Sequence, residues 1–151
     1  MNIGVEQSSL EPEPKCVGLY VEDDDATAYL FQKALVEAGA SLRLFRVTDG
    51  EQGLAFLLRK GVYQDAPVLD LVIIDLSLPK RSGFELLAAI RQTEALKKTP
   101  IVVFSSSTLP DWKERALALG ADLFCMKCND WSGFVETAKA IHSLLPGYAT
   151  G

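Results

Sequence analysis

Polar side chains that can bind a metal ion or a phosphoryl group follow four short apolar runs of the chain. In chain order they are Glu22-Asp23, Asp75, Ser105 and Lys127. If the runs before Glu22 and Asp75 are neighbouring parallel strands, three carboxylates meet at one sheet edge and repel one another. A hard divalent cation relieves that repulsion, and a few protein oxygens completed by water suit Mg²⁺. With a hydroxyl and a lysine added, the set has the groups needed for phosphoryl transfer to a carboxylate.

The apolar runs have the length and β-branched content of buried strands. They are Val17–Val21, Leu42–Val47, Leu69–Ile74, Ile101–Phe104 and Leu123–Met126. Amphipathic stretches alternate with them; Pro110 begins the fourth, and Gly39, Gly61 and Gly120 end others. This alternation predicts an α/β fold, a doubly wound parallel sheet of five strands with helices on both faces. Ligands of such sheets bind beyond the carboxyl ends of the strands.

Length and composition predict one domain at residues 16–145, between a flexible tail at 1–15 and a shorter one at 146–151. With 15 basic and 20 acidic residues the net charge is −5, which argues against nucleic acid as a partner. No apolar run approaches the ~20 residues of a membrane span. Three cysteines do not suit a disulfide framework. We therefore expect a cytoplasmic protein with no membrane partner.

Each candidate residue also has a simpler interpretation. The acids that follow Val21 could be a solvated helix N-terminus, where negative charge suits the helix dipole. Asp75 could cap a strand end, Lys127 could be a surface lysine, and the serines from Ser105 onward could form a turn. Their placement at four strand ends of one predicted sheet favours a shared site.

Other residues that could do chemistry have weaker patterns. Cys125 and Cys128 have the C-x-x-C spacing, but a zinc site would need two more ligands, and we expect Cys125 to pack as a small apolar residue. His142 lies late in the last helix and suits its dipole. Trp112 and Trp131 begin the last two helices, where packing is the expected role and partner contact the alternative.

The chain resembles the receiver domains of bacterial two-component response regulators, from about Cys16 to Leu145. The matching segments are VEDD at Val21–Asp24, DLVIIDLSLPKRSG at Asp70–Gly83, PIVVFSSS at Pro100–Ser107, GAD at Gly120–Asp122, and the region of Lys127. The segment around Asp75 is most similar to stand-alone regulators that partner phytochrome-type histidine kinases. The resemblance implies a flavodoxin-like sheet in the order 2-1-3-4-5.

The resemblance also implies a role for each matching residue. Asp75 would accept the phosphoryl group as an aspartyl phosphate, and Lys127 would bind the phosphate. Mg²⁺ would be held by Asp23, Asp75, Glu22 and the main-chain carbonyl of Ser77. Ser105 would be the switch hydroxyl. Phe124 would be the aromatic side chain that turns inward when that hydroxyl engages the phosphate.

Three loop positions bear on the geometry of the site. Pro79 and Gly83 match the loop after the acceptor, where we expect glycine to permit unusual backbone angles. Cys128 replaces the proline that usually follows the lysine in a cis peptide. A cis bond before a residue other than proline costs about 3 kcal/mol, so the reach of Lys127 is in question.

These observations predict a signalling switch rather than an enzyme in the usual sense, although the domain would catalyse its own phosphorylation and dephosphorylation. The phosphoryl donor would be a sensor histidine kinase or a phosphotransfer protein in a phosphorelay. The output would pass through contacts with an unidentified downstream protein, and a homodimer is compatible with the family. The alternatives are a pseudo-receiver that acts without phosphorylation, and a haloacid dehalogenase-type enzyme, for which Ser77 stands where a second acid is needed.

Overall fold

The computed structural model describes residues 16–78, 82–106, 110–127 and 130–145 of the chain. Five strands alternate with five helices along it, as the apolar pattern predicts. The strands are β1 (Cys16–Val21), β2 (Leu42–Val47), β3 (Leu71–Asp75), β4 (Ile101–Ser105) and β5 (Leu123–Met126). The helices are α1 (Asp25–Glu37), α2 (Gly50–Leu57), α3 (Gly83–Gln92), α4 (Pro110–Ala118) and α5 (Trp131–His142).

All strands are parallel, and the sheet order is β2-β1-β3-β4-β5. The predicted fold class and strand order are therefore confirmed. The strand bounds differ slightly from the prediction, because β3 begins at Leu71 rather than Leu69 and includes Asp75, while β4 includes Ser105. Asp75 and Ser105 are thus the last residues of these strands rather than the first residues after them, and the backbone hydrogen bonds of the sheet hold them in place.

Side chains that alternate along the strands fill two separate cores, one on each face of the sheet. The first contains Leu19, Val72 and Val103 and is covered by α2, α3 and α4, whereas the second contains Tyr20, Ile73 and Val102. Helices α1 and α5 cover the second core through residues such as Phe31 and Ile141. The sheet is thus buried on both faces, and its carboxyl edge remains for a site.

Polar residues fix where the helices begin. Asp24, Asp49 and Asp130 accept hydrogen bonds from the first-turn amides of α1, α2 and α5. Ser82 and Glu85 form a reciprocal capping box at α3. All four helix starts, at Asp24, Asp49, Ser82 and Asp130, follow the carboxyl ends of strands β1, β2, β3 and β5, and so lie at the same edge of the sheet as the candidate site.

Several sequence predictions fall outside the described residues. Both predicted tails do, and so do Pro79, Ser107 and Cys128. Among the helices that are described, none is both long and apolar enough to cross a membrane.

Candidate functional site

The register of β1 and β3 brings the predicted carboxylates together. Val21 pairs with Ile74, so the next residues, Glu22 and Asp75, lie side by side at the carboxyl edge of the sheet. One carboxylate oxygen from each of Glu22, Asp23 and Asp75 lies within 4.8 Å of the other two. Glu22 and Asp75 are buried, whereas Asp23 is exposed. Three converging carboxylates offer hard oxygen donors that fit a divalent cation and leave one side open to water.

Lys127 reaches this cluster from the end of β5. Its Nζ lies 2.9 Å from Oδ2 of Asp75, and 3.1 and 3.2 Å from Oε1 and Oε2 of Glu22. The lysine side chain is 22% exposed, so the ion pairs are partly shielded from solvent. Lys127 therefore reaches the carboxylates, although Cys128 stands where the family usually has proline.

The buried acids shift the acid–base behaviour of the site. Burial and the charge of Asp75 raise the pKa of Glu22 from 4.5 to about 7, although Lys127 opposes the shift. Burial by itself would lower the pKa of Lys127, but its hydrogen bond and charge interaction with Asp75, together with Glu22, raise that pKa overall. Lys127 therefore offsets part of the cost of burying the charge of Glu22, and the carboxylates offset the cost of burying the charge of Lys127.

The two carboxylate oxygens of Asp75 have different partners. Oδ2 accepts from Lys127, and Oδ1 accepts a hydrogen bond of 2.9 Å from the amide of Ser77. The backbone of Ser77 thus lies directly at the cluster. Its predicted use of the main-chain carbonyl as a metal ligand stays a prediction.

The two predicted switch residues lie on β4, the strand beside Asp75, and on β5, the strand beyond it. Asp75 pairs with Phe104, so Ser105 is the next residue of β4, and Ser105 is fully buried. The carbonyl of Ser105 accepts the amide of Lys127 at 2.9 Å, which ties the hydroxyl-bearing residue to the lysine. Phe124 is half-buried and packs against the first core. The inward turn of its ring on phosphorylation stays a prediction.

The run of acids after β1 divides into residues of two kinds. Glu22 has no solvent exposure, so the interpretation of this residue as part of a solvated helix terminus is wrong. Asp24, in contrast, caps α1 and Asp25 lies in its first turn, where both are exposed. The simpler interpretation therefore holds for the second half of the run alone.

The expected reason for glycine at position 83 is also wrong. Gly83 is the first residue of α3, and it is not among the described glycines with positive φ. A Cβ at this position would lie 2.5 Å from Cα of Leu76 and 2.6 Å from the carbonyl oxygen of Asp75. Glycine is needed because α3 begins against the backbone that carries Asp75.

Packing assignments for the aromatic and cysteine residues are partly confirmed. Trp112 packs edge-on against Phe84, as expected for a core contact. Trp131 is 46% exposed, so packing accounts for only about half of its surface. Cys125 is half-buried against the second core, which agrees with an apolar packing role.

Sequence reasoning missed two residues that touch Glu22. Tyr20 is fully buried in β1, and its hydroxyl donates a long hydrogen bond of 3.4 Å to Oε1 of Glu22. Arg46 of β2 donates from Nε to the main-chain carbonyl of Glu22 at 2.9 Å. The period of two along β1 could have indicated Tyr20, since residues 20 and 22 point to the same face. No pattern within the sequence indicates which residue of β2 lies beside Glu22.

The response regulator receiver domain family model matches residues 19–139. The chain belongs to this family. Among the relatives, Response regulator Rcp1 of Synechocystis sp. is 32% identical over 133 residues, covering 88% of this chain and 90% of Rcp1. The probable methanogenesis regulatory protein FilR2 of Methanothrix harundinacea is 31% identical over 150 residues, covering 98% of this chain and 96% of FilR2.

Solved structures give the same assignment. The phosphorylated cyanobacterial phytochrome response regulator RcpA superposes with a TM-score of 0.80 at 32% identity, over 86% of this chain and 93% of RcpA. The Mn(2+)-bound form of Rcp1 gives a TM-score of 0.78 at 32% identity, over 85% of this chain and 92% of Rcp1. The predicted likeness to regulators of phytochrome systems is therefore confirmed.

Proposed function

We propose that this receiver accepts a phosphoryl group on Asp75 from the phosphohistidine of a sensor histidine kinase or a phosphotransfer protein. The observation that carries the proposal is the joint position of a buried carboxylate, two further acids and one ammonium group at a single sheet edge. The relatives support it, since one solved relative is described as phosphorylated and another as Mn(2+)-bound.

The chemistry would be a direct displacement at phosphorus. A carboxylate oxygen of Asp75 attacks the phosphorus atom, an O–P bond forms, and the N–P bond to the donor imidazole breaks with its electron pair left on nitrogen. Lys127, which already lies 2.9 Å from Oδ2 of Asp75, would then pair with a phosphoryl oxygen. Charge neutralisation by such a preorganised cation is the main catalytic contribution available here.

Asp75, Asp23, Glu22 and the carbonyl of Ser77 would hold the metal ion. Mg²⁺ bound there would neutralise phosphoryl oxygens as the new bond forms. Of the acids in the cluster, Asp23 is the exposed one, so it is the residue that can meet a cation on its approach from solvent.

The signal would leave the domain through a shift between two conformations. The hydroxyl of Ser105 would bond a phosphoryl oxygen, and Phe124 would turn further inward beside it. The surface formed by α4, β5 and α5 would change, and a downstream protein or a second copy of the chain would recognise it. This exchange would take place in the cytoplasm, and the reaction of the domain with its donor would act as a switch rather than as enzymatic turnover.

The proposal is tested by intact-mass measurement after incubation with acetyl phosphate, with Mg²⁺ or with EDTA. We expect a single added phosphoryl group in wild type with Mg²⁺, and none with EDTA or in Asp75→Asn. Asp70→Asn, at the partly buried residue before β3, is a matched control that should still be labelled. Folded protein that takes up no phosphoryl group would favour the pseudo-receiver, and a label that persists in Asp75→Asn would contradict the acceptor assignment.

A further inference from the structure

Arg46 makes two contacts with the acidic segment that follows β1. Its Nε donates to the main-chain carbonyl of Glu22 at 2.9 Å, and its Nη1 lies 2.8 Å from Oδ1 of Asp25. The arginine side chain is 23% exposed, whereas that of Asp25 is 92% exposed. A single planar guanidinium group therefore bridges the first residue after the strand and the first residue of α1.

The two contacts bracket Asp23. This residue lies between Glu22 and Asp25 and is exposed, so its position depends on the backbone on either side. On the strand side the backbone is also held by the amide of Glu22, which donates to the carbonyl of Val47 at 3.1 Å. Arg46 adds the connection to the helix side, which the sheet ladder does not provide.

The stability of the fold does not explain this arginine well. Its third nitrogen, Nη2, is buried and has no hydrogen-bond partner within the described part of the chain. A buried donor without a partner opposes folding. The contacts of its other two nitrogens therefore account for this arginine better than a contribution to folding does.

We propose that Arg46 is a positioning residue for the metal site, which holds the Glu22–Asp25 segment so that Asp23 faces the cation. This inference rests on the proposed function, because it assumes that the carboxylate cluster binds Mg²⁺. It goes beyond that function in adding a residue of β2, a strand that supplies no ligand and no phosphate contact.

Electrostatics and positioning predict opposite effects when this arginine is replaced. A positive charge near a cation site repels the cation, so removing the charge alone should tighten Mg²⁺ binding. Removing the bridge should loosen the segment and weaken binding, as loss of residues that orient metal ligands does. The sign of the change in affinity therefore separates the two effects.

The test is a calorimetric titration of the metal-free protein with Mg²⁺, which needs no phosphoryl transfer. We expect Arg46→Met to bind Mg²⁺ about tenfold more weakly than wild type. Arg46→Lys keeps the charge but cannot bridge two acceptors in the same planar geometry, so it should also be weakened. Arg46→Gln serves as the neutral variant if methionine prevents folding, as judged by circular dichroism in EDTA.

Arg43→Met is the matched control. Arg43 lies on the same strand, loses the same charge, and is exposed with its guanidinium over the ring of Phe45. It should bind Mg²⁺ as wild type does, within about twofold. Asp23→Asn is the reference for loss of a direct ligand and should weaken binding more than any arginine variant.

The outcomes separate the two proposals. Wild type that binds no Mg²⁺ would overturn the proposed function and this inference with it. Wild type that binds Mg²⁺ and loses affinity in Asp23→Asn, while Arg46→Met binds equally or more tightly, would overturn the positioning role alone. The positioning role would also be overturned if Arg46→Lys matched wild type, or if Arg43→Met were weakened to the same extent as Arg46→Met.

Discussion

The ammonium group of Lys127 lies 2.9 Å from Oδ2 of Asp75, while the other oxygen of the same carboxylate accepts the amide of Ser77. The proposed acceptor is therefore held at both oxygens before any phosphoryl group arrives. Because a cation of the chain already occupies the carboxylate cluster, Lys127 and a metal ion would share the same acids. The effects of the lysine and of the metal ion can be measured separately, as the rate of phosphorylation and the affinity for Mg²⁺.

Lys127→Met should lower the rate of phosphorylation by acetyl phosphate by about 100-fold, since it removes a charge aimed at the phosphoryl oxygens. Mg²⁺ affinity should be equal or higher, because a competing cation is gone from the acids. Intact-mass time courses and Mg²⁺ titration measure the two effects. Lys139→Met on the exposed surface of α5 is the control, and should change neither. Loss of Mg²⁺ binding in Lys127→Met would contradict this division of roles.

The raised pKa of Glu22 predicts how stability depends on pH in the metal-free protein. Between pH 4.5 and about 7 the folded state keeps a proton on Glu22 that the unfolded state releases. The free energy of unfolding should therefore fall as the pH rises through this window, by up to about 3 kcal/mol from this group. Glu22→Gln should flatten the decline.

Urea unfolding in EDTA at several pH values measures this contribution. Glu37→Gln, which changes an exposed carboxyl at the end of α1, should leave the wild-type pH profile unchanged. Parallel profiles for wild type and Glu22→Gln would show that the Glu22 proton is not linked to folding.

Close packing of α3 against the acceptor predicts the effect of a single methyl group. Gly83→Ala should cost about 1–3 kcal/mol, because the new Cβ meets the backbone of Asp75 and Leu76 rather than a movable side chain. The displaced backbone should also weaken Mg²⁺ binding. Gly53→Ala in α2 is the matched control, since its Cβ would meet the side chains of Leu86 and Val21 at 3.1 and 3.3 Å. Equal stability and Mg²⁺ affinity of the two variants would contradict the argument.

Most of the fold and part of the site follow from patterns that are local in sequence. Apolar runs with a polar residue at the end, as at Asp75 and Ser105, locate both a strand and the edge where its end lies. If β1 and β3 are neighbours, Glu22 is expected near Asp75, and the observed pairing of Val21 with Ile74 places the two side by side. Arg46 could not be assigned in this way, because its contact with Glu22 depends on the exact register between β1 and β2 and on side-chain reach. The period of two along β1 places Tyr20 on the same face as Glu22, but the hydrogen bond between them depends on side-chain reach. The close approach of Gly83 to Leu76 depends likewise on where α3 begins in space.

Arg91 offers a test of whether stability and the site can be uncoupled. Its guanidinium group donates to the carbonyls of Gly120 at 3.0 Å and Thr99 at 2.8 Å, and pairs with Asp122 at 2.9 Å. These partners lie at the amino ends of β4 and β5, opposite the carboxylate cluster. The carboxylate of Asp122 also accepts a hydrogen bond from the amide of Ile101, the first residue of β4. Arg91 therefore orients the carboxylate that holds the start of this strand.

Arg91→Met should therefore lower the free energy of unfolding by about 3 kcal/mol, since it leaves several partly buried carbonyls without their donor and removes the ion pair with the exposed carboxylate of Asp122. Mg²⁺ affinity measured at a temperature where the variant is folded should stay within about twofold of wild type. Arg115→Met is the control, because the guanidinium group of this exposed arginine of α4 lies over the ring of Phe84, and loss of that contact should cost about 1 kcal/mol or less. A large loss of Mg²⁺ affinity in Arg91→Met would mean that the two ends of the sheet are coupled, and that the geometry of the cluster depends on more than the residues around it.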